Sequence, residues 1–470
     1  MTTIWIDITT LLAWKRPAVG IVRVEAECVR HALTQTTHAV RFCAFDRVLG
    51  YREVSHPQAQ SCLDNLGKPA PHAAPVAVHA PAAQRPSLEE RLKQQLKTLL
   101  GWLPERHRTR LYQILHNRRH HFRELLQGLR HIKSGIKQLI RPLPAAAPQA
   151  AYDDSQRSTP PFGRSDVYIS LGLDWDDKDL SYLHALKRKL DLKILLCCHD
   201  VIPLKLPHLC VESVSAMFSR YFADVAWNAD KIVCVSQCSE RDLLGMLDIL
   251  GTPIPKTVVI NHGSELHAAQ DQSADLVGSP YILYVSTIER RKNHEALYRA
   301  YTRLLDRGEK NLPKLIFVGM HGWGVDGLLT DLKLDPRTQD LIEIRGHVND
   351  AELAALYEHA LFTVYPSLYE GWGLPVAESL AYGKFCVASS AASIPEVGGN
   401  LVDYVDPWDI PAWADRLSFY FSNPNEITRR EQLIATDYRA KPWGTTAAEI
   451  LNAASALASA MPGTQQTLSH

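Results

Sequence analysis

The sequence is short of the features that mark membrane-spanning, disulfide-stapled or nucleic-acid-binding proteins. No uninterrupted apolar run approaches the roughly 18–20 residues that a bilayer-crossing helix needs. The nine cysteines (28, 43, 62, 197, 198, 210, 234, 238 and 386) are odd in number, scattered and without a C-x-x-C pair, so they form neither a disulfide framework nor a thiolate metal site. They read as buried thiols in a reducing compartment. The opening MTTIWIDITTLLAW has no basic residue ahead of its apolar part and carries Asp7 within it, which argues against a secretory signal and for a cytoplasmic protein. Net charge is absent too: 51 basic residues face 51 acidic ones, so a chain-wide electrostatic hold on nucleic acid is not expected.

The zero balance hides one asymmetry. Residues 87–141 hold 13 Lys/Arg against 4 Asp/Glu, with leucines at helical spacing from Leu88 to Leu115, and lie between two Pro/Ala-rich tracts, 68–86 and 142–161. This is the pattern of a basic helical insertion. It suits an anionic membrane surface, a partner protein, or a solvated hairpin on the first domain. On either side of it, short apolar runs alternate with amphipathic stretches, the mark of parallel-sheet α/β units. The strand candidates are TIWIDI, AVRFCAF, DVYISLG, KILLCCHD, KIVCVS and VVINHG, then YILYVST, KLIFVG, LIEIRG, LFTVYPS and KFCVAS. The expected fold is α/β: two doubly wound Rossmann-like domains facing a central cleft, with ligands at the carboxyl ends of the strands. The first domain spans 1–265 and contains the insertion at about 68–160; the second spans 275–440. A helix over 441–458 is expected to pack back toward the first domain, ahead of a tail at 459–470.

Chemistry concentrates in residues 361–399. A strand ends near Tyr365 and a helix begins around Pro375, with Glu370-Gly371-Trp372-Gly373-Leu374 between them. Two glycines allow close backbone approach to a ligand, and the following helix offers free N–H groups and a positive dipole end, suited to phosphate. Phosphate would repel Glu370 and Glu378. Ionised carboxylates are acceptors only, so their natural partners beside it are sugar hydroxyls. A diphosphate flanked by hydroxyls describes a nucleotide sugar. A second element, Glu289-Arg290-Arg291-Lys292-Asn293, places three cations at a strand-to-helix turn, where a diphosphate would offset their repulsion.

PSLYEGWGLPVAESLAYG, with its Glu370-x7-Glu378 spacing, resembles the signature of retaining GT-B glycosyltransferases of family four, which build bacterial surface polysaccharides. The likeness covers residues 1–55 and about 165–455. It implies that Glu378 binds the ribose hydroxyls of the sugar donor and Glu370 the donor sugar, while the amides of Gly371, Trp372, Gly373 and Leu374 hold the diphosphate. Lys292, helped by Arg291 or Arg290, would bind the donor phosphates, although some members carry an arginine at the position of Ser286. Val348, just ahead of the capping-box pair Asn349 and Glu352, would meet the base through its backbone. Gly20, in the turn after the first strand, would lie near the diphosphate, with Arg23 as an acceptor-side or structural charge. His199 at the end of a buried strand resembles the active-site histidine beside the donor sugar, and Asp200 would orient it or face the acceptor. Ser236 reads as a helix cap.

The function implied is a retaining hexosyltransferase acting on a nucleoside-diphosphate sugar and a glycan or polyprenyl-diphosphate-linked acceptor, in polysaccharide or lipopolysaccharide assembly. The TIERRKN and EGWGLP forms look most like polysaccharide mannosyl- and rhamnosyltransferases, which favours a GDP-linked donor over a UDP- or dTDP-sugar. No metal or other cofactor is expected. The one D-x-D tripeptide, Asp174-Trp175-Asp176, reads as structural. The alternative is a nucleotide-sugar-binding scaffold or an epimerase of the same fold. Peripheral attachment to the inner face of the cell membrane would follow if residues 87–141 contact lipid.

Overall fold

The computed structural model describes residues 2–67, 157–211, 214–265, 278–346 and 348–459. The basic stretch 87–141, most of its flanking tracts and the tail beyond Ser459 lie outside the described residues. Two sheets organise the rest. The first has the order β3-β2-β1-β4-β5-β6-β7, built from β1 (Ile4–Asp7), β2 (Val40–Asp46), β3 (Gly50–Val54), β4 (Val167–Ser170), β5 (Lys193–Cys198), β6 (Lys231–Cys234) and β7 (Lys256–Val259). All pairings in it are parallel except the β2–β3 hairpin. The second sheet, all parallel, has the order β10-β9-β8-β11-β12-β13, from β8 (Tyr281–Val285), β9 (Lys314–Val318), β10 (Ile342–Arg345), β11 (Thr363–Tyr365), β12 (Cys386–Ser389) and β13 (Asp403–Val405).

The central strands are apolar throughout because helices cover both faces of a parallel sheet; IWID, VYIS and the ILLCC of β5 are buried at every position. Two strands were not anticipated. β3 is an antiparallel edge strand, GYREV, half polar, and is turned back by Asp46, whose Oδ1 accepts from the N–H groups of Val48 and Leu49, and by Gly50 at φ 80°. β13 has three residues, too few to carry a pattern.

Strand order reverses between β1 and β4 in the first sheet and between β8 and β11 in the second. A doubly wound sheet opens a crevice at such a point, outside the carboxyl ends of the strands. The glycine turn at Gly20 follows β1, the basic turn follows β8, and Glu370 follows β11.

The helix Trp443–Ser459 lies on the first domain, where Ala447, Ile450, Leu451, Ala454 and Leu457 share a core with Val22, Ala26 and Val29 of the helix Ile21–Thr34. The chain therefore enters the second domain and returns. The outgoing and returning segments lie side by side: Asn261 O accepts from both Lys441 Nζ and Thr446 Oγ1 (3.0 Å each), and the Ser264 N–H donates to Lys441 O.

Candidate active site

The basic turn is a single turn of 3-10 helix, Arg290–Lys292, ended by Asn293 in the left-handed conformation at φ 58°. Asn293 tolerates that backbone, and its Nδ2 ties the turn to Pro366 O and Pro407 O at 3.1 and 2.8 Å. The Leu368 N–H donates to Arg291 O and Tyr284 OH to Lys292 O, so the turn is fastened to the segment that carries Glu370.

Glu370 is buried and fully engaged. Lys292 Nζ donates to its Oε1 at 2.6 Å and Arg291 Nη1 to its Oε2 at 2.8 Å, with Ser367 Oγ and Tyr365 OH also donating to Oε1. Burial alone would push the carboxyl up, but Arg291 and Lys292 outweigh it and bring it down to about 2. Burial and the adjacent Arg291 lower the Lys292 ammonium; Glu370 acts in the opposite sense and favours its charged form. Arg291 also holds the buried Glu289 through Nη2, at 2.7 Å.

The glycine loop is built from both domains. Ser393 Oγ donates to Glu370 O and Trp372 O at 2.9 and 2.7 Å, and Ser236 and Ser239 of the first domain donate to Gly371 O at 2.7 and 3.0 Å. Three successive carbonyls are thereby turned toward hydroxyls. The N–H groups of Gly371, Trp372, Gly373 and Leu374 donate to no acceptor among the described residues, which leaves a row of amides at the start of the helix Leu374–Ala381. Gly371 must be glycine, because a Cβ there would come within 2.1 Å of His199 O. Gly373 sits at φ 122°. The Trp372 ring turns away to pack on the first-domain core and edge-on to His262, with ring centroids 6.4 Å apart.

Glu378 lies one turn into that helix. Its Oε2 accepts from Tyr357 OH at 3.2 Å and its Oε1 from Arg23 Nη1 at 2.8 Å, a contact that crosses from the first domain. Burial raises its carboxyl and Arg23 lowers it, with burial dominant.

On the first-domain wall, Gly20 begins the helix Ile21–Thr34 at φ 54°. His199 is buried, with Nε2 2.8 Å from Leu171 O and Nδ1 3.9 Å from Cys197 Sγ. Its backbone carbonyl lies against Gly371 and accepts from Ser239 Oγ at 3.2 Å. Burial lowers the imidazole, which favours the neutral ring. Asp200 Oδ1 accepts from the Ile202 N–H at 2.9 Å and so orients its own loop. Ser236 caps the helix Gln237–Ile249 and in addition reaches Gly371. Val348 packs, half-buried, beside β8 and β9. Asp174 is committed to Lys178 and Ser170, and Trp175 packs on Phe218 and Tyr221. Among the described residues no group of three or more His, Cys, Asp or Glu could hold a metal ion.

The structure thus brings Glu370, Lys292, Arg291, Gly371–Leu374 and Glu378 to one crevice, with Gly20 and His199 on the facing domain. Sequence reasoning missed the bonds that bind the two walls together, those of Ser239 to Gly371 O and of Glu396, whose carboxylate accepts from the Gln237 and Cys238 N–H groups at 2.8 Å each, and it missed Ser393, which shapes the loop from within the second domain. It also missed the pairing of Arg23 with Glu378.

Two Rossmann-like domains with a basic turn and a glycine loop at their switch points define the GT-B architecture. Comparisons agree. Residues 268–439 match the family described as "Glycosyl transferases group 1". The chain is similar to O-antigen chain mannosyltransferase B of Escherichia coli, 38% identical over 141 residues (30% of this chain, 36% of that one). It is also similar to the serotype-specific mannosyltransferase WbdA of Escherichia coli, 29% identical over 232 residues (46% of this chain, 28% of that one). The alignments therefore span only about a third of the length of these relatives. Among solved structures, Anabaena HepE in complex with UDP superposes with a TM-score of 0.56 at 12% identity, covering 97% of this chain and all of the other, which speaks to the fold. Residues 268–439 thus resemble a group 1 glycosyl transferase domain, and the two-sheet architecture is that of the GT-B fold.

Proposed function

We propose that the protein is a retaining glycosyltransferase that moves a hexose from a GDP-linked sugar, GDP-mannose or GDP-rhamnose, to a growing surface polysaccharide or a lipid-linked glycan. The observation that carries this reading is the row of free amides at Gly371–Leu374, which directly follows Glu370, the partner of Lys292 and Arg291, and leads into the helix that carries Glu378. As the bond from the anomeric carbon to the diphosphate oxygen breaks, its electron pair goes to the diphosphate. Lys292, Arg291 and the amides stabilise that growing charge more than they stabilise the ground state. With these groups taking up the charge, the reaction as proposed calls on no metal. The acceptor hydroxyl adds on the face the diphosphate leaves and passes its proton to the departing phosphate oxygen; no enzyme nucleophile is assigned. Val348 meets the base through its backbone, and Glu378 takes the ribose diol. The mannosyltransferases among the relatives support mannose as the transferred sugar.

Calorimetric titration with GDP-mannose, UDP-glucose, UDP-N-acetylglucosamine and dTDP-rhamnose, repeated on Lys292→Ala, tests the reading. Selective binding of the GDP-sugar, lost in the variant, is expected; binding indifferent to Lys292 would overturn the site. We place the protein at the inner face of the cell membrane through residues 87–141. The described residues contain no helix long and apolar enough to cross a membrane. A chain lacking residues 68–160 is expected to keep donor binding and to lose sedimentation with anionic vesicles.

A further inference from the structure

The two site carboxylates are held in opposite ways. Glu370 has four side chains donating to it, all from its own domain and two of them cationic. Glu378 has two among the described residues: Tyr357 from its own domain and Arg23 from across the cleft. The Arg23 contact runs through one of the five guanidinium N–H groups, and the pair keeps some solvent access, with 20% and 12% of the two side chains exposed. The guanidinium also lies 5.4 Å over the Trp443 ring, a resting place on the returning helix that does not depend on Glu378. A single hydrogen bond, partly hydrated and backed by a second partner for the cation, is the exchangeable kind of ion pair.

We propose that Arg23 is a positioning residue that holds Glu378 and yields it to the ribose diol of an incoming nucleoside diphosphate. Donor binding then breaks one of the contacts between the domains. The proposal rests on the reading of Glu378 given above, and it adds a competition inside the site: nucleotide affinity is set below what Glu378 alone would give. Because the competition is for the diol, it is silent for a nucleotide that lacks one.

The test is calorimetric titration of wild type, Arg23→Met and Arg23→Lys with GDP, UDP and the corresponding 2′,3′-dideoxynucleoside diphosphates. Arg23→Met is expected to bind the ribonucleotide up to about fivefold tighter than wild type, a figure set by the loss of one competing, partly exposed ion pair. Arg23→Lys, which keeps the charge and loses the reach and planarity of the guanidinium, is expected to fall between them. The dideoxy forms should bind all three proteins alike. An Arg23→Met protein that binds the ribonucleotide equally or more weakly, or that gains equally for the dideoxy form, overturns the proposal while leaving the nucleotide site standing. Should Arg23→Met fail to fold, Arg23→Lys decides: no gain over wild type overturns it. Failure of wild type to bind either ribonucleotide would remove the nucleotide reading itself, and this proposal with it.

Discussion

Removing the Glu370 carboxylate tests the electrostatic heart of the site. Glu370→Ala leaves Lys292 and Arg291 side by side with Glu289, and Asp200 acting on Arg291, to offset them, in a place with little water. Breaking a buried ion pair from one side costs about 3–5 kcal/mol. The pKa gives an independent route to the same quantity: a carboxyl held at about 2 instead of its ordinary 4.5 binds its proton less tightly in the folded state, worth about 3 kcal/mol of stability. Because the folded value is lowered, that stability is fully present above pH 4.5 and is lost as the pH falls from 4.5 toward 2. Glu370→Ala should therefore unfold at lower urea than wild type at pH 7, by about 3 kcal/mol, and the gap should close steadily between pH 5 and pH 3. Equilibrium urea unfolding followed by tryptophan fluorescence and circular dichroism reads this directly. A deficit independent of pH would mean that the cost comes from a packing void and that the charge pair contributes nothing. No deficit at all would refute the geometry.

Other consequences can be checked separately. Glu25 is buried with Oε2 unpartnered and its carboxyl raised to about 8, chiefly by burial, so wild type should lose about 3 kcal/mol as pH rises from 4.5 to 7, while Glu25→Gln should show a flatter profile; parallel curves would sink this. Glu396 caps a first-domain helix from the second domain, an interaction worth about 1–2 kcal/mol; Glu396→Ala should raise the radius of gyration of the ligand-free protein in small-angle scattering, and an unchanged curve counts against a closing role. Gly371→Ala places a methyl group on His199 O and should lower turnover roughly 100-fold with little change in overall circular dichroism, since a misplacement of about 1 Å is enough for such a loss; near-normal turnover would refute the tight fit.

How much of this was legible beforehand depended on distance along the chain. β1, β2, β4–β6, β8, β9 and β12 announce themselves as apolar runs because a strand buried on both faces needs nothing else. β3 escaped because an edge strand can be half polar, and β13 because three residues hold no period. Glu370, Lys292 and the glycine loop stood out for the same local reason: consecutive cations and paired glycines are unusual over five residues. The Arg23–Glu378 bond joins residues 355 positions apart, and nothing near either residue marks its partner. Ser236 shows the intermediate case. Its capping role is written in the three residues after it, whereas its bond to Gly371 O, 135 positions away, follows only from the closed cleft. His199 stood out by its place at a strand end, yet the direction of its ring is set by Leu171, on a different strand's loop.

The paired crossing at Asn261–Ser264 and Tyr438–Thr446 has a mechanical meaning. A domain joined by one thread can swivel about three axes. One joined by two threads laced together, with Ser264 Oγ against Tyr438 OH as a further stitch, is confined to turning about the line through them, like a door on two pins. Tyr438 OH also bonds Ala377 O, in the helix that carries Glu378. The stitch between the two segments is therefore fastened to the helix that carries Glu378.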